Sequence, residues 1–226
     1  MNLSSKPNPT LSFSCEFIAS LDIDISKVLD IGVQSQTLEL KKSFTDKKHL
    51  LIEPQKSYNP LIASNYQGID YTLENLACTN HNGEMYLHEE FLWDCKVPTH
   101  NHISTKKSKI KVKTKTLNKL CEEFAINKWA LLKIDVDGEE VNILNSGLSS
   151  LDKFCFIIIE CVVQRFTDIN NILTDHGFTL FHINDICYIE NMMSQFDAVY
   201  VNDDLKELNP KLRPSFQVDT WHRHVS

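Results

Sequence analysis

Carboxylates stand at the ends of short apolar runs in this chain, and their spacing is that of a ligand-holding sheet edge. In Trp129-Ala-Leu-Leu-Lys-Ile-Asp-Val-Asp-Gly-Glu-Glu140, residues Leu131, Leu132, Ile134 and Val136 give a run of strand length, ended by Asp135, Asp137 and Gly138. Upstream, Val28-Leu29-Asp30-Ile31-Gly32 closes on an acid and a tight-turn glycine, and His49-Leu50-Leu51-Ile52-Glu53-Pro54 closes on another acid. Open α/β sheets bind ligands at the carboxyl ends of such strands. An acid roughly 20 positions after a glycine turn is where a nucleotide ribose is held, because a carboxylate accepts two hydroxyl hydrogen bonds at fixed geometry. Glu53 has that spacing from Gly32, and Pro54 stops the ladder where the acid is exposed.

Each of these acids has a structural competitor. Asp30 and Glu53 are either ligand-holding or surface and helix-capping residues. Asp135 either lines a site or caps the following helix, where the dipole favours an acid; as the best-placed acid of the central strand it is assigned both roles. Lys133 shares its strand parity, and either snorkels, pairs with an acid or serves as a base. Glu160 ends a long apolar strand, where it lines the cleft or pairs with a lysine or Arg165.

The elements that must position these residues follow from periodicity. Helices are expected over Leu11–Leu21, around Leu38, Leu40 and Phe44, over Asn59–Tyr66, Leu117–Phe124, Glu140–Leu151 and Asp168–His176, the last stopped by Gly177. Beyond the first two, strands are expected over Tyr71–Cys78, Lys109–Thr116, Ala130–Asp135, Phe154–Val162, Leu180–Ile189 and Ala198–Val201. His81-Asn82-Gly83 has hairpin-turn chemistry, with Met85-Tyr86-Leu87 returning, and Phe91–Ser108 reads as a loop. Alternating strands and helices imply an α/β fold, a mainly parallel sheet with helices on both faces. The expected division is an N-terminal extension or cover helix (1–24), one main domain (25–205) and a C-terminal tail (206–226).

At 226 residues the chain is long enough for one full core. The net charge of −7 argues against general nucleic-acid binding. Seven cysteines, an odd number without a Cys-x-x-Cys, suggest reduced thiols and a cytoplasmic protein. No apolar run approaches membrane-spanning length, and Met1–Thr10 lacks a signal-peptide core. Lys109, Lys111, Lys113 and Lys115 share a strand face and read as an edge strand guarded against aggregation. His100 and His102 read as loop residues rather than metal ligands, since no third ligand is evident; no metal is expected. The tail His222-Arg223-His224 reads as solvated.

Together these residues resemble the FkbM-type methyltransferases, which use S-adenosylmethionine, over about Val28–Val201. That family's first motif, Asp-x-Gly-Ala-Asn-x-Gly, appears as Asp30-Ile31-Gly32-Val33-Gln34-Ser35-Gln36; its Glu-Pro is Glu53-Pro54; its Thr-Leu-Asp is Thr116-Leu117-Asn118; and its Lys-Ile-Asp-Val-Glu-Gly-x-Glu is Lys133–Glu140. A later glycine matches Gly147 and a strand-ending acid matches Glu160. Gln34 and Gln36 stand where the family has Asn and Gly, Asn118 where it has Asp, and Asp137 where it has Glu. The resemblance implies a Rossmann-like seven-stranded sheet with one antiparallel strand. It also implies methyl transfer to a hydroxyl of a sugar, glycolipid or secondary metabolite. Asp30, Gly32, Gln34, Gln36, Glu53 and Asp135 are the expected cofactor-binding residues, and Asp135, Glu160 and Lys133 the catalytic candidates. The pocket walls, within Phe91–His102, would choose a small-molecule or glycan acceptor. Two other readings stay open: a nicotinamide dehydrogenase, which lacks its G-x-G-x-x-G here, and a catalytically silent binding or scaffold protein, which Gln34 and Gln36 favour.

Overall fold

The computed structural model describes residues 9–90 and 100–212. In chain order the main elements are α1 (Leu11–Ala19), β1 (Val28–Ile31), α2 (Leu38–Ser43), β2 (His49–Ile52), α3 (Asn59–Asn65), β3 (Tyr71–Glu74), β4 (Leu76–Cys78) and β5 (Gly83–Glu90). There follow β6 (His100–Ser104), β7 (Ile110–Lys115), α4 (Leu117–Glu123), β8 (Ala130–Ile134), α5 (Glu140–Asn145), β9 (Phe154–Val162), α6 (Phe166–Asp175), β10 (Phe178–Ile189), β11 (Met192–Asn202) and α7 (Asp203–Leu208).

The large sheet has the order β10-β11-β9-β8-β1-β2-β3. All its pairs are parallel except those of β11, which runs antiparallel to both β9 and β10. The mostly parallel seven-stranded sheet with one antiparallel strand is therefore present. All five residues of the central β8 are buried, as two covered faces require.

Strand parity divides the core. Leu29, Ile31, Leu132, Ile134, Ile157 and Ile159 face one side and pack with residues of α4, α5 and α6. Val28, Leu131, Phe156, Ile158, Val199 and Val201 face the other and pack with α1, Leu40 of α2, Leu205 of α7 and Leu212. That second face changes character toward the carboxyl edge: Val28 is followed by Asp30, Leu131 by Lys133, and Ile158 by Glu160, while Val199 on the reversed strand follows Asp197. Four neighbouring strands thus switch from apolar to ionisable, Asp30 and Lys133 at one level and Glu160 and Asp197 two residues further on, the signature of a sheet face that is core below and crevice above.

Several expectations are corrected. Tyr71–Cys78 is two strands, not one: β3 belongs to the large sheet, the chain breaks at Asn75, and β4 joins a second sheet of order β4-β7-β5-β6. The turn at His81-Asn82-Gly83 does not close a hairpin, because β7 lies between β4 and β5 and bonds to both. For the same reason β7 is an interior strand, and its lysines are not an edge guard; Lys111, Lys113 and Lys109 are exposed because the opposite face, with Val112 and Thr114, is buried. Within Phe91–Ser108, residues 100–104 form β6 instead of loop, and 91–99 lie outside the described residues. His102 lies on that strand, stacked on His88 with ring centroids 5.0 Å apart. The helix expected over Glu140–Leu151 ends at Asn145, and a 3-10 segment, Leu148–Lys153, follows Gly147. A Cβ at Gly147 would stand 2.3 Å from Leu117 Cδ2, so close packing on α4 sets that break. The tail residues 222–224 fall outside the described residues. Six described cysteines are free thiols, five of them buried.

Candidate functional site

A cleft of about 470 Å³ opens at the carboxyl edge of the large sheet. Gly32, Gln34, Gln36, Glu53, Lys133, Asp135 and Glu160 all line it. Among the expected site residues, Asp30 alone is not part of its wall: its side chain is fully buried beneath.

The loop after β1 is shaped by contact with the loop after β8. Gly32 has φ +89°, and a Cβ there would lie 1.8 Å from the Asp135 carbonyl oxygen, so only glycine fits. Gln34 follows at φ 52°, the left-handed region that asparagine tolerates best among non-glycine residues. Its backbone N–H donates to Glu53 Oε2 at 2.8 Å, and the Gln55 N–H donates to Glu53 Oε1 at 2.8 Å. Glu53 is thereby oriented by one backbone donor on each oxygen, with further lone pairs available for a ligand. Burial pushes its carboxyl up to about 7, against the two backbone donors. The Gln36 carboxamide accepts from Lys41 Nζ at 2.6 Å.

Lys133 is 3 % exposed, and its Nζ bonds Asp135 Oδ2 at 2.5 Å. Burial lowers its affinity for a proton, but Asp135, Asp30 and Asp197 together outweigh that and hold the ammonium above the ordinary lysine range. The lysine therefore pairs rather than snorkels. Asp135 is not a helix cap: α5 begins at Glu140 with Glu139 at its N-cap. Asp30 is raised by burial despite Lys133. Neither of its oxygens has hydrogen-bond geometry with a described residue, although the Thr37 and Tyr66 hydroxyls stand close enough to affect its ionisation.

Glu160 pairs in register with Asp197 across β9 and β11. Its Oε1 accepts from Gln195 Nε2 at 2.8 Å, so Gln195 takes the place foreseen for a lysine or Arg165. Burial, then Asp135 and Asp197, push the Glu160 carboxyl up to about 8. Asp197 and Gln195 also line the cleft, and sequence reading missed both. The available signal was an acid inside the apolar run Phe196-Asp-Ala-Val-Tyr-Val201, which acquires meaning only once its register against Glu160 is known.

On the opposite wall, Asn101 of β6 donates its backbone N–H to Asp137 and its side-chain amide to Gln55, both at 2.8 Å. A smaller cavity of about 50 Å³ adjoins the cleft there, walled by Pro54, Leu76, Ala77, Leu87, Ile103 and Val136. Thr116 caps α4 and Leu117 meets Gly147, so those residues support the β8–α5 layer from outside the cleft. Among the described residues no group of three or more His, Cys, Asp or Glu side chains is placed to hold a metal ion, and no helix is long and apolar enough to cross a membrane.

The FkbM methyltransferase domain model matches residues 30–180, which contain most of the cleft. None of the curated proteins matches the chain. Among solved structures, an rRNA methylase from Streptococcus thermophilus is similar at 10% identity and a TM-score of 0.52, over 88% of this chain and 99% of that one. A ribosomal protein L11 methylase from Lactobacillus delbrueckii subsp. bulgaricus is similar at 12% identity and 0.48, over 85% and 76%. A putative tRNA methyltransferase of Streptococcus pneumoniae, in complex with S-adenosyl-L-methionine, stands at 14% and 0.46, over 84% and 72%. At such identities the likeness is one of fold.

Proposed function

The chain belongs to the FkbM methyltransferase family, and from that premise we propose that it transfers a methyl group from S-adenosylmethionine to a hydroxyl of a sugar, glycolipid or secondary metabolite. The observation that carries this reading is Glu53, held at the end of β2 by the N–H of Gln34 and facing the same cleft as the Gly32 loop.

The residues present fit the cofactor. Glu53 would accept the ribose hydroxyls, and the apolar walls beside Pro54 suit an adenine ring. The loop from Gly32 to Gln36 would follow the amino-acid portion, with Asp30 buried below it. Gln36 does not fill this space unopposed, because Lys41 holds its amide. When bound, the cofactor supplies an electrophilic methyl carbon on a positively charged sulfur. The protein's own work is alignment, water exclusion and removal of the acceptor's proton. Asp135, fixed by Lys133, would orient the acceptor. Lys133, held as a cation, supplies counter-charge. Asn101 would contribute to the wall that selects the acceptor.

Calorimetric titration with S-adenosylmethionine and S-adenosylhomocysteine tests the reading. Binding of both, followed by transfer of labelled methyl to members of a glycan and polyol panel, is the expected result. Absence of binding by either compound would overturn it and leave the scaffold alternative.

A further inference from the structure

Asp197 and Glu160 are register partners on β11 and β9, and both face the cleft. Partners in an antiparallel ladder have Cβ atoms about 4.5–5.5 Å apart on the same face. The cation on that face, Lys133, is bonded to Asp135. Glu160 has one neutral partner, Gln195. Asp197 has no hydrogen-bond donor among the described residues. The carboxylate with the most freedom to receive a proton is therefore Asp197, not Asp135.

Its place along the cleft agrees. Glu53 follows β2, and the order β2-β1-β8-β9-β11 puts β9 and β11 three and four strands away. With about 4.8 Å between strands, the pair lies roughly 14–19 Å from the ribose end. With Glu53 holding the ribose end, the cleft over β9 and β11 would be left for the acceptor.

Resting on the methyltransferase reading, we propose that Asp197 is the general base for the acceptor hydroxyl, with Glu160 as the neighbour that shares its proton. In the step, the acceptor O–H bond breaks and its proton goes to the Asp197 carboxylate. The freed oxygen lone pair forms the O–CH3 bond, and the methyl–sulfur bond breaks with both electrons passing to sulfur, leaving S-adenosylhomocysteine.

Burial, with the surrounding carboxylates and against Lys133, raises both carboxyls toward neutrality. Asp197 faces Lys133 and Asp135 from β8 and its loop, Asp185 from β10 and Glu39 from α2; burial, against Lys133, pushes it up to about 6. Glu160 faces Asp135, Asp197, Lys133 and, from α5, Glu140, and stands at about 8. Around pH 7 the pair thus holds one proton and one charge, the state a base needs before it receives a proton.

The test uses sinefungin, in which an amine-bearing carbon replaces the methyl-bearing sulfur, compared with S-adenosylhomocysteine by calorimetry on the full chain. The amine marks the position of the transferred methyl. Wild type should prefer sinefungin, and the preference should grow as pH rises from 5 to 8. Asp197→Asn should lose about tenfold of that preference with S-adenosylhomocysteine affinity unchanged, as expected for one lost charge–charge contact. Glu160→Gln should keep both the preference and its onset, because Glu160 still carries its proton while Asp197 ionises. A preference that is flat with pH, or equal in Asp197→Asn and wild type, overturns the assignment. If wild type binds S-adenosylhomocysteine but shows no sinefungin preference, only the base assignment fails; if it binds neither, the cofactor reading fails.

Discussion

The α-carbon of Gly32 rests against the carbonyl oxygen of Asp135: a Cβ would come within 1.8 Å of it. The loops after β1 and β8 are therefore one packed unit, and the cofactor loop cannot move without moving the acid that follows the central strand. Gly32→Ala should separate them. At φ +89° the alanine is also strained, and the two effects together should lower stability by about 2–4 kcal/mol. Thermal denaturation measures this; a melting temperature within a degree of wild type would show that the loops part without cost.

Glu53→Gln should keep the fold and weaken S-adenosylmethionine binding about ten- to hundredfold, since hydrogen bonds to a charged group contribute about 1.5–3 kcal/mol. With the Glu53 carboxyl at about 7, wild-type affinity should fall as pH drops from 8 to 6. The variant should show a flatter profile. Equal affinity in a folded variant removes Glu53 from the ribose site.

Asp135→Asn leaves the buried Lys133 ammonium without its closest counter-charge. Breaking a buried pair costs about 3–5 kcal/mol, and the amide oxygen, still an acceptor, brings the expectation to the lower end. Adding Lys133→Met should recover most of the loss. If Asp135→Asn alone is neutral in a urea melt, Asp30 and Asp197 suffice to hold the lysine.

The free protein should lose stability as pH rises. Burial raises Glu53 and Glu140 to about 7, Glu160 to about 8 and Asp197 to about 6. The folded state therefore binds more protons than the unfolded chain above the ordinary carboxylate range. That stability is fully present near pH 4 and is lost through pH 8. His49 and His182, both lowered by burial, act in the opposite sense, but only up to about pH 6.5. The melting temperature should fall between pH 6.5 and 8, where the histidine contribution has ended. A rise over that interval would contradict the burial of these acids.

How much of this was legible depended on range. Apolar runs such as Phe154–Val162 and Ala130–Ile134 announce buried strands because two covered faces admit few polar residues. The turn acids Glu53 and Asp135 are legible because each directly follows such a run. The small sheet was misread at two points, the hairpin and the edge strand, for one reason: Leu76–Cys78 and Gly83–Glu90 look like neighbours, and only β7, more than twenty residues downstream of the turn, comes between them. Asp197 was missed likewise, since its partner Glu160 is distant in the chain. Asp30 looked like a wall residue; it shares the parity of Lys133 but is fully buried two residues below the Gly32 turn.

The departure of the chain from the large sheet at Asn75 and its return at Thr116 make the small sheet an excursion. It touches the larger cleft through Asn101, which is latched to Gln55 and Asp137, while the Asn75 side chain ties the exit point to the backbone carbonyl of Glu53. In the linear order of the chain, the residues proposed to hold the ribose and the amino-acid portion lie outside this excursion, in 30–54 and 133–137, while the apolar wall proposed for the adenine ring draws Leu76, Ala77, Leu87 and Ile103 from it. The protein is thus divided as an interchangeable part is divided from its mount. Exchange of residues 76–115 between relatives would alter the wall beside Pro54 and Asn101 while the bonds of Gln34 and Gln55 to Glu53 stay in place.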